Sequence, residues 1–536
     1  MRFRRHAPAL SGGLAGLIMA LGAQPAGAQH PAAPPPFDVV EASIADVHAA
    51  LADGRVNCHD LVADYLARID AYDKNGPAIN AIILVNPDAL AVADSLDGVA
   101  RRDDPLGALH CIPMIVKDNY QTKGLQTTGG SLAFKGFAPD KDAFVVARIR
   151  AAGAVILAKA NMAELAFSPY ETVSSILPGY TRNPYELDRV TAGSSGGPAA
   201  AVAASMGTVG LGTDTGNSIR GPSSHQALVG IRPTMGLTSR AGVVPLFLGA
   251  DVTGPMARTV ADAVAVLQVI AGPDPDDPVT LASRGHVSAD YASALVRDGL
   301  RGARIGVLHQ AYDTRTLDPE INQIFERALD DLRRQGATVI DPVAVPDLTA
   351  ILRSGRGNGG CNTFKRDFNR YLATLGPRAP VKSLADLIQT GKYHPSIETR
   401  LKTAEAVQDT SADNPGCRAQ DAMKARLRAA VTQLMDSMHL DAMVYPTWSN
   451  PPRLIGDLNT PAGDNNQLFS PSTGFPAITV PMGYSRGGVL PAGLQFFGRA
   501  WDERTLIRLA YSYEQATRWR RPPPTTPPLK SERVKG

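Results

Sequence analysis

Hydrophobic positions along the chain switch repeatedly between helical and strand spacing, which predicts alternating helices and strands. Ser43 precedes Ile44, Val47 and Leu51 on one helical face, with Gly54 as the stop. A second amphipathic helix over 59–72 turns Leu61, Val62, Tyr65, Leu66 and Ile69 inward. Short apolar strands are predicted at 79–85 and along C-I-P-M-I-V-K, which ends at Lys117; Asn86-Pro87 opens a helix between them. The pattern continues with a helix over 143–152, a strand over 155–158 and a further helix opened by N-M-A-E at 161–164. This rhythm argues for an α/β sheet covered by helices.

Residues 191–233 break the regularity with small residues. G-S-S-G-G-P leads into an alanine-rich helix over 199–205, and a strand over 208–213 then delivers D-T-G-N-S-I-R at 214–220. Glycines at such turns let backbone N–H groups approach a ligand closely. Two serines in tight turns, Ser194 and Ser218, suggest an oxygen nucleophile and its helper. A serine nucleophile needs a base, and Lys117, reached at the end of an apolar strand, is the candidate. Burial disfavours the ammonium form; lowering a lysine from ~10.4 to about 7–8 takes on the order of 4 kcal/mol.

These residues resemble the amidase signature family, serine hydrolases with a Ser–cis-Ser–Lys triad. The resemblance is carried by P-M-I-V-K-D-N at 113–119, G-S-S-G-G at 193–197, G-T-D-T-G-N-S-I-R at 212–220 and V-G-I-R-P-T at 229–234, with the two serines 24 positions apart. It implies that Ser218 is the acyl-accepting nucleophile, Ser194 the bridging serine on a cis peptide, and Lys117 the base. The backbone of Thr215, Gly216 and Asn217 would stabilise the oxyanion; Ser195, Asp214 and Arg220 would support the nucleophile loop. The implied fold is one large α/β domain with a mixed β-sheet core covered on both faces by α-helices, here over 38–521. Asn217 stands where a glycine is usual and Pro198 where a small residue is usual. L-A-Y-S-Y-E-Q-A-T-R and S-L-A-D-L-I are similar to bacterial peptide-amidase-like members.

Later segments fit the same domain. Helices are predicted over 259–270, 319–334 and 503–517, with strands over 303–308 and 337–340. Residues 345–424 are more polar and are expected to form a variable cap over the substrate site, whereas the proline-rich 522–536 reads as an exposed tail. Residues 1–28 read as a signal peptide: Arg2, Arg4 and Arg5, an apolar stretch over 9–22, and A-G-A before Gln29. That stretch is short of the ~20 residues needed to span a bilayer. A proline-rich lead occupies 29–37.

Removing the signal takes Lys+Arg from 54 to 51 against 51 Asp+Glu. The mature chain is then neutral, without the basic footprint of a nucleic-acid or membrane-surface binder. A periplasmic or secreted location is expected. Of four cysteines, Cys361 and Cys417 sit in turn-like settings and are expected to pair, while Cys58 and Cys111 read as buried small hydrophobes. No spacing suggests a metal or cofactor site, and a homodimer stays open. The expected activity is hydrolysis of a small-molecule or peptide amide. Alternatives are an amidotransferase A-type subunit working with partner proteins, a binding protein without activity, or an α/β-hydrolase-type esterase with Ser195 in a G-x-S-x-G elbow. That elbow requires a buried strand before it, and N-P-Y-E-L-D-R-V-T-A is polar and broken by proline.

Overall fold

The computed structural model describes residues 37–102, 106–355, 361–411 and 413–529. The signal segment 1–28, the lead up to residue 36, and residues 530–536 lie outside the described residues. The strands are β1 (Ile82–Val85), β2 (Pro113–Lys117), β3 (Val155–Ala160), β4 (Arg182–Asn183), β5 (Glu186–Val190), β6 (Val209–Asp214), β7 (Val229–Arg232), β8 (Val252–Ala257), β9 (Arg304–Leu308), β10 (Thr338–Val343), β11 (Ala442–Pro446), β12 (Ala477–Ser485) and β13 (Leu490–Phe497).

Eleven of them form one mixed sheet in the order β1-β3-β2-β6-β8-β7-β12-β13-β11-β9-β10, while β4 and β5 make a separate hairpin. β2 runs parallel to both β3 and β6, and β6 pairs antiparallel with β8. Every residue of β2, β3, β6 and β8 is buried, which suits strands covered on both faces by helices. The helix Gly196–Ala203 packs on β2, β6 and β8, and its eight residues are all buried. Larger helices, Val260–Ile270, Pro319–Arg334 and Glu503–Thr517, cover β8 and β12. A large single α/β domain with a mixed sheet is therefore the architecture, as expected.

The polar stretch 345–424 resolves into short helices: Leu348–Ser354, Phe364–Thr374, Leu384–Thr390 and Glu398–Glu405, followed by the long Pro415–Ser437. Several of these share a small apolar core of their own, in which Phe364, Phe368, Leu384 and Leu401 pack against Phe134, Phe137 and Phe167 of the main body. Phe364 and Phe368 stack there at 5.3 Å, and Phe167 meets Phe364 tilted at 4.7 Å. This satellite core anchors the segment to the main body.

Three expectations need correction. Cys58 and Cys111 are fully buried as expected but form a disulfide, with Cα atoms 5.6 Å apart; Cys361 and Cys417 form the second. Cys111 stands in a turn at φ 61 before β2, where it meets the start of the helix Cys58–Ile69. The tail is exposed at most of its described residues, but Pro523 and Thr526 are buried. Buried Arg68 donates to the carbonyls of Thr526 (2.9 Å) and Pro527 (3.0 Å), and Thr526 is buried. Proline-rich chain offers carbonyls free of secondary structure, which a buried guanidinium needs. Finally, 161–164 opens only a three-residue turn, Glu164–Ala166, because Leu165 and Ala166 have positive φ and the Glu164 carboxylate binds Ser175.

Gly197 shows why the G-S-S-G-G run must end on glycine. Its amide donates to the Asn161 carbonyl at 3.2 Å, and a Cβ would meet that oxygen at 2.1 Å and the Asn161 nitrogen at 2.6 Å. Both obstacles are backbone atoms, so Gly197→Ala is expected to destabilise the protein by roughly 1–3 kcal/mol, read as a lower urea midpoint at unchanged m-value.

Candidate active site

Lys117 closes β2 at its carboxyl end, where open α/β sheets place their ligand crevices. Its side chain has no solvent exposure. Nζ donates to Ser194 Oγ at 2.7 Å and to Thr213 Oγ1 at 2.8 Å. Burial pulls its pKa down to about 7, against the opposing carboxylates of Asp214 and Asp251. The amine is thus poised between charged and neutral near physiological pH. Ser194 follows a cis peptide bond from Gly193.

The loop after β6 carries the second serine. Ser218 is 5% exposed and lines a cavity of about 480 Å³ together with Thr215, Gly216 and Asn217. Among the described residues, the backbone N–H groups of Thr215, Gly216, Asn217 and Ser218 have no protein acceptor. Four successive free amides beside a hydroxyl on a cavity wall can hold a developing oxyanion. The link from Ser194 to Ser218 is not a hydrogen bond in this structure; Ser218 Oγ donates instead to Asn217 Oδ1 at 3.5 Å. Asn217 Nδ2 in turn donates to the Pro169 carbonyl at 3.3 Å, so the residue that departs from the family pattern is tethered to the cavity rim.

Asp214 holds this loop in shape. Its carboxylate accepts from Ile219 N (3.1 Å), Arg220 Nε (3.1 Å) and Arg232 Nη1 (2.9 Å), all in the interior. Burial would raise its pKa, but the Arg220 and Arg232 guanidiniums outweigh burial and bring it to about 2. Arg220 also reaches Asn466 and Gln495 at 3.2 Å. Thr215 Oγ1 donates to Asp251 at 2.5 Å, fixing the start of the loop.

Ser195 lies behind this arrangement. Its Oγ donates to the Thr213 carbonyl at 3.2 Å, and it is fully buried. The strand before it is the half-exposed β5 of a peripheral hairpin, which does not fit a nucleophile elbow. Sequence reasoning missed Thr213, Arg232 and Asp251. Thr213 and Arg232 stood inside quoted motifs, and Thr213 lies on the strand that delivers Asp214. Asp251 had no local signal.

A mixed α/β sheet that sets a desolvated lysine against the Ser194 and Thr213 hydroxyls, beside a serine with free loop amides, has a layout suited to acyl transfer. The chain belongs to the amidase family, whose model matches residues 60–507. It is similar to the peptide amidase of Stenotrophomonas maltophilia, with a TM-score of 0.82 and 39% identity over 91% of this chain and 99% of that one. A probable amidase of Arabidopsis thaliana is 36% identical over 506 residues, 91% of this chain and 92% of that protein. The A-type subunit of the glutamyl-tRNA(Gln) amidotransferase of Myxococcus xanthus (strain DK1622) is 33% identical over 490 residues, 89% of this chain and 98% of that protein. The protein is an amidase-family enzyme acting on carbon–nitrogen bonds.

Asp214→Asn would leave two buried guanidiniums without their counter-charge, and a loss of about 3–5 kcal/mol is expected in denaturant unfolding. The wild-type carboxyl titrates at about 2 when folded, against ~3.9 unfolded. Its contribution is therefore complete above about pH 4 and is lost as pH falls towards 2, an acid dependence that Asp214→Asn should lack.

Proposed function

We propose that this protein is an exported amidase that hydrolyses the C–N bond of a small or peptide-like amide through an acyl-enzyme on Ser218. The observation that carries the reading is the 2.7 Å contact between a fully buried, pKa-lowered Lys117 and Ser194, beside a loop whose amides are free. Neutral Lys117 takes the Ser194 proton while Ser194 takes that of Ser218, whose hydroxyl turns from Asn217 towards Ser194 when substrate fills the cavity. Ser218 Oγ attacks the amide carbon, and the N–H groups of Thr215, Gly216 and Asn217 receive the oxyanion. The C–N bond then breaks, and the proton returns through Ser194 to the leaving amine. Water, deprotonated by the same relay, hydrolyses the ester and restores Ser218.

The export half of this reading rests on the N-terminal segment and on four cysteines joined in two disulfides, the bonding expected of an oxidising compartment. A periplasmic or secreted enzyme would act without a translation partner. The amidotransferase relative keeps a partner-dependent reading in view; turnover by the isolated chain distinguishes the two.

The test is hydrolysis of a panel of C-terminally amidated peptides, anilides and long-chain amides by the isolated protein. Ser218→Ala is expected to lower kcat at least about a thousandfold, and Ser195→Ala far less. Activity that survives Ser218→Ala and vanishes with Ser195→Ala overturns the assignment.

A further inference from the structure

The cavity in front of Ser218 is lopsided in charge. Two cations line it, Lys424 and Arg400, and among its described lining residues no carboxylate answers them. Arg400 is exposed at the rim and donates to the Phe167 carbonyl. Lys424 is different, because it is only 8% exposed. Its Nζ donates to the Gly249 carbonyl at 3.2 Å and lies 4.8 Å from the centre of the Phe247 ring. Among the described residues no salt bridge holds it; the one acidic group acting on its charge from its own helix is Asp421, which is exposed.

Lys117 is likewise held by uncharged acceptors, the Ser194 and Thr213 hydroxyls, but other buried cations nearby are paired. Arg220 and Arg232 share Asp214, and Lys159 has Asp118 at 3.5 Å. A buried cation without a counter-ion is costly unless an anion arrives, and one carbonyl with one ring face leaves donors of the ammonium unused. One helical turn before Lys424, on the same face, Gln420 also lines the cavity; its buried Oε1 has no hydrogen-bond partner among the described residues. Phe167, Tyr170, Leu246 and Phe247 supply an apolar wall.

We propose that the cavity selects amides that carry a carboxylate on a partly apolar body, with Lys424 as the counter-ion. This rests on the amidase reading of the Ser218 site and narrows its substrate class. Arg400 and Lys424 both belong to helices of the cap, Glu398–Glu405 and Pro415–Ser437, so the selectivity is a property of the cap and not of the catalytic sheet. The Cys361–Cys417 disulfide secures the start of the helix that bears Lys424.

The experiment measures binding, by calorimetry, of N-acetyl-Phe-Glu-amide and N-acetyl-Phe-Met-amide to the protein carrying Ser218→Ala, with and without Lys424→Met. Methionine keeps the apolar stem against Phe247 and removes the charge. The acidic amide should bind about tenfold or more tighter than the neutral one, the ratio should fall to near one with Lys424→Met, and Lys424→Glu should invert it. A ratio near one before mutation, a ratio unchanged by Lys424→Met, or no binding of either amide overturns the proposal. A lysine that merely props the 247–249 segment would change both affinities alike and leave the ratio untouched. Because binding is read without turnover, a failure of the amidase reading shows separately, as the unmutated protein binding both amides and hydrolysing neither.

Discussion

Desolvation of one amine organises the centre of this protein. Lys117 ends a strand whose five residues are all buried, between two parallel neighbours that are buried as well. In that position the ammonium loses its water and the pKa falls to about 7, leaving the amine available as a base at the carboxyl edge of the sheet. The helix Gly196–Ala203 seals the strand with small side chains, and the turn before it sets Ser194 against Nζ. A larger residue at Gly197 would press on the Asn161 backbone and disturb that turn. The proposed catalytic geometry and the tight packing are one constraint seen from two sides.

A second electrostatic element complements the first. Asp214 is as buried as Lys117 yet stays ionised, since two guanidiniums and the Ile219 amide surround it. It raises the Lys117 pKa somewhat while burial lowers it further. The same carboxylate shapes the loop in which Thr215, Gly216, Asn217 and Ser218 keep their amides unengaged. A buried salt-bridge cluster of this kind contributes specificity of loop shape more than net stability.

Much of this was legible in the chain. The apolar run ending at Lys117, the two serine turns and the helix and strand between them are local patterns, and local patterns survive folding. What the sequence concealed depends on distant partners. Cys58 and Cys111 read as separate buried thiols because their pairing is created by a helix meeting a turn 53 residues later. Within the mostly exposed 522–529, nothing names Arg68, the buried guanidinium that the Thr526 and Pro527 carbonyls serve. Asp251 reaches Thr215 across a turn, with no spacing to betray it. The segment 345–424 is marked in the chain only by its polarity; its aromatic core uses Phe134, Phe137 and Phe167 from elsewhere. Lys424 lies on a helix, R-A-Q-D-A-M-K-A-R-L-R, that looks like a solvated face until the fold closes over it.

Labelling of the serine by a fluorophosphonate, followed across pH and mapped by mass spectrometry, tests the coupling of lysine to nucleophile most directly. The modification is expected at Ser218, at a rate that rises as pH passes through about 7 with loss of the Lys117 proton, and it should be nearly abolished by Lys117→Met. Labelling at Ser195, or a rate at Ser218 indifferent both to pH in that range and to Lys117→Met, would contradict a buried neutral lysine as the base.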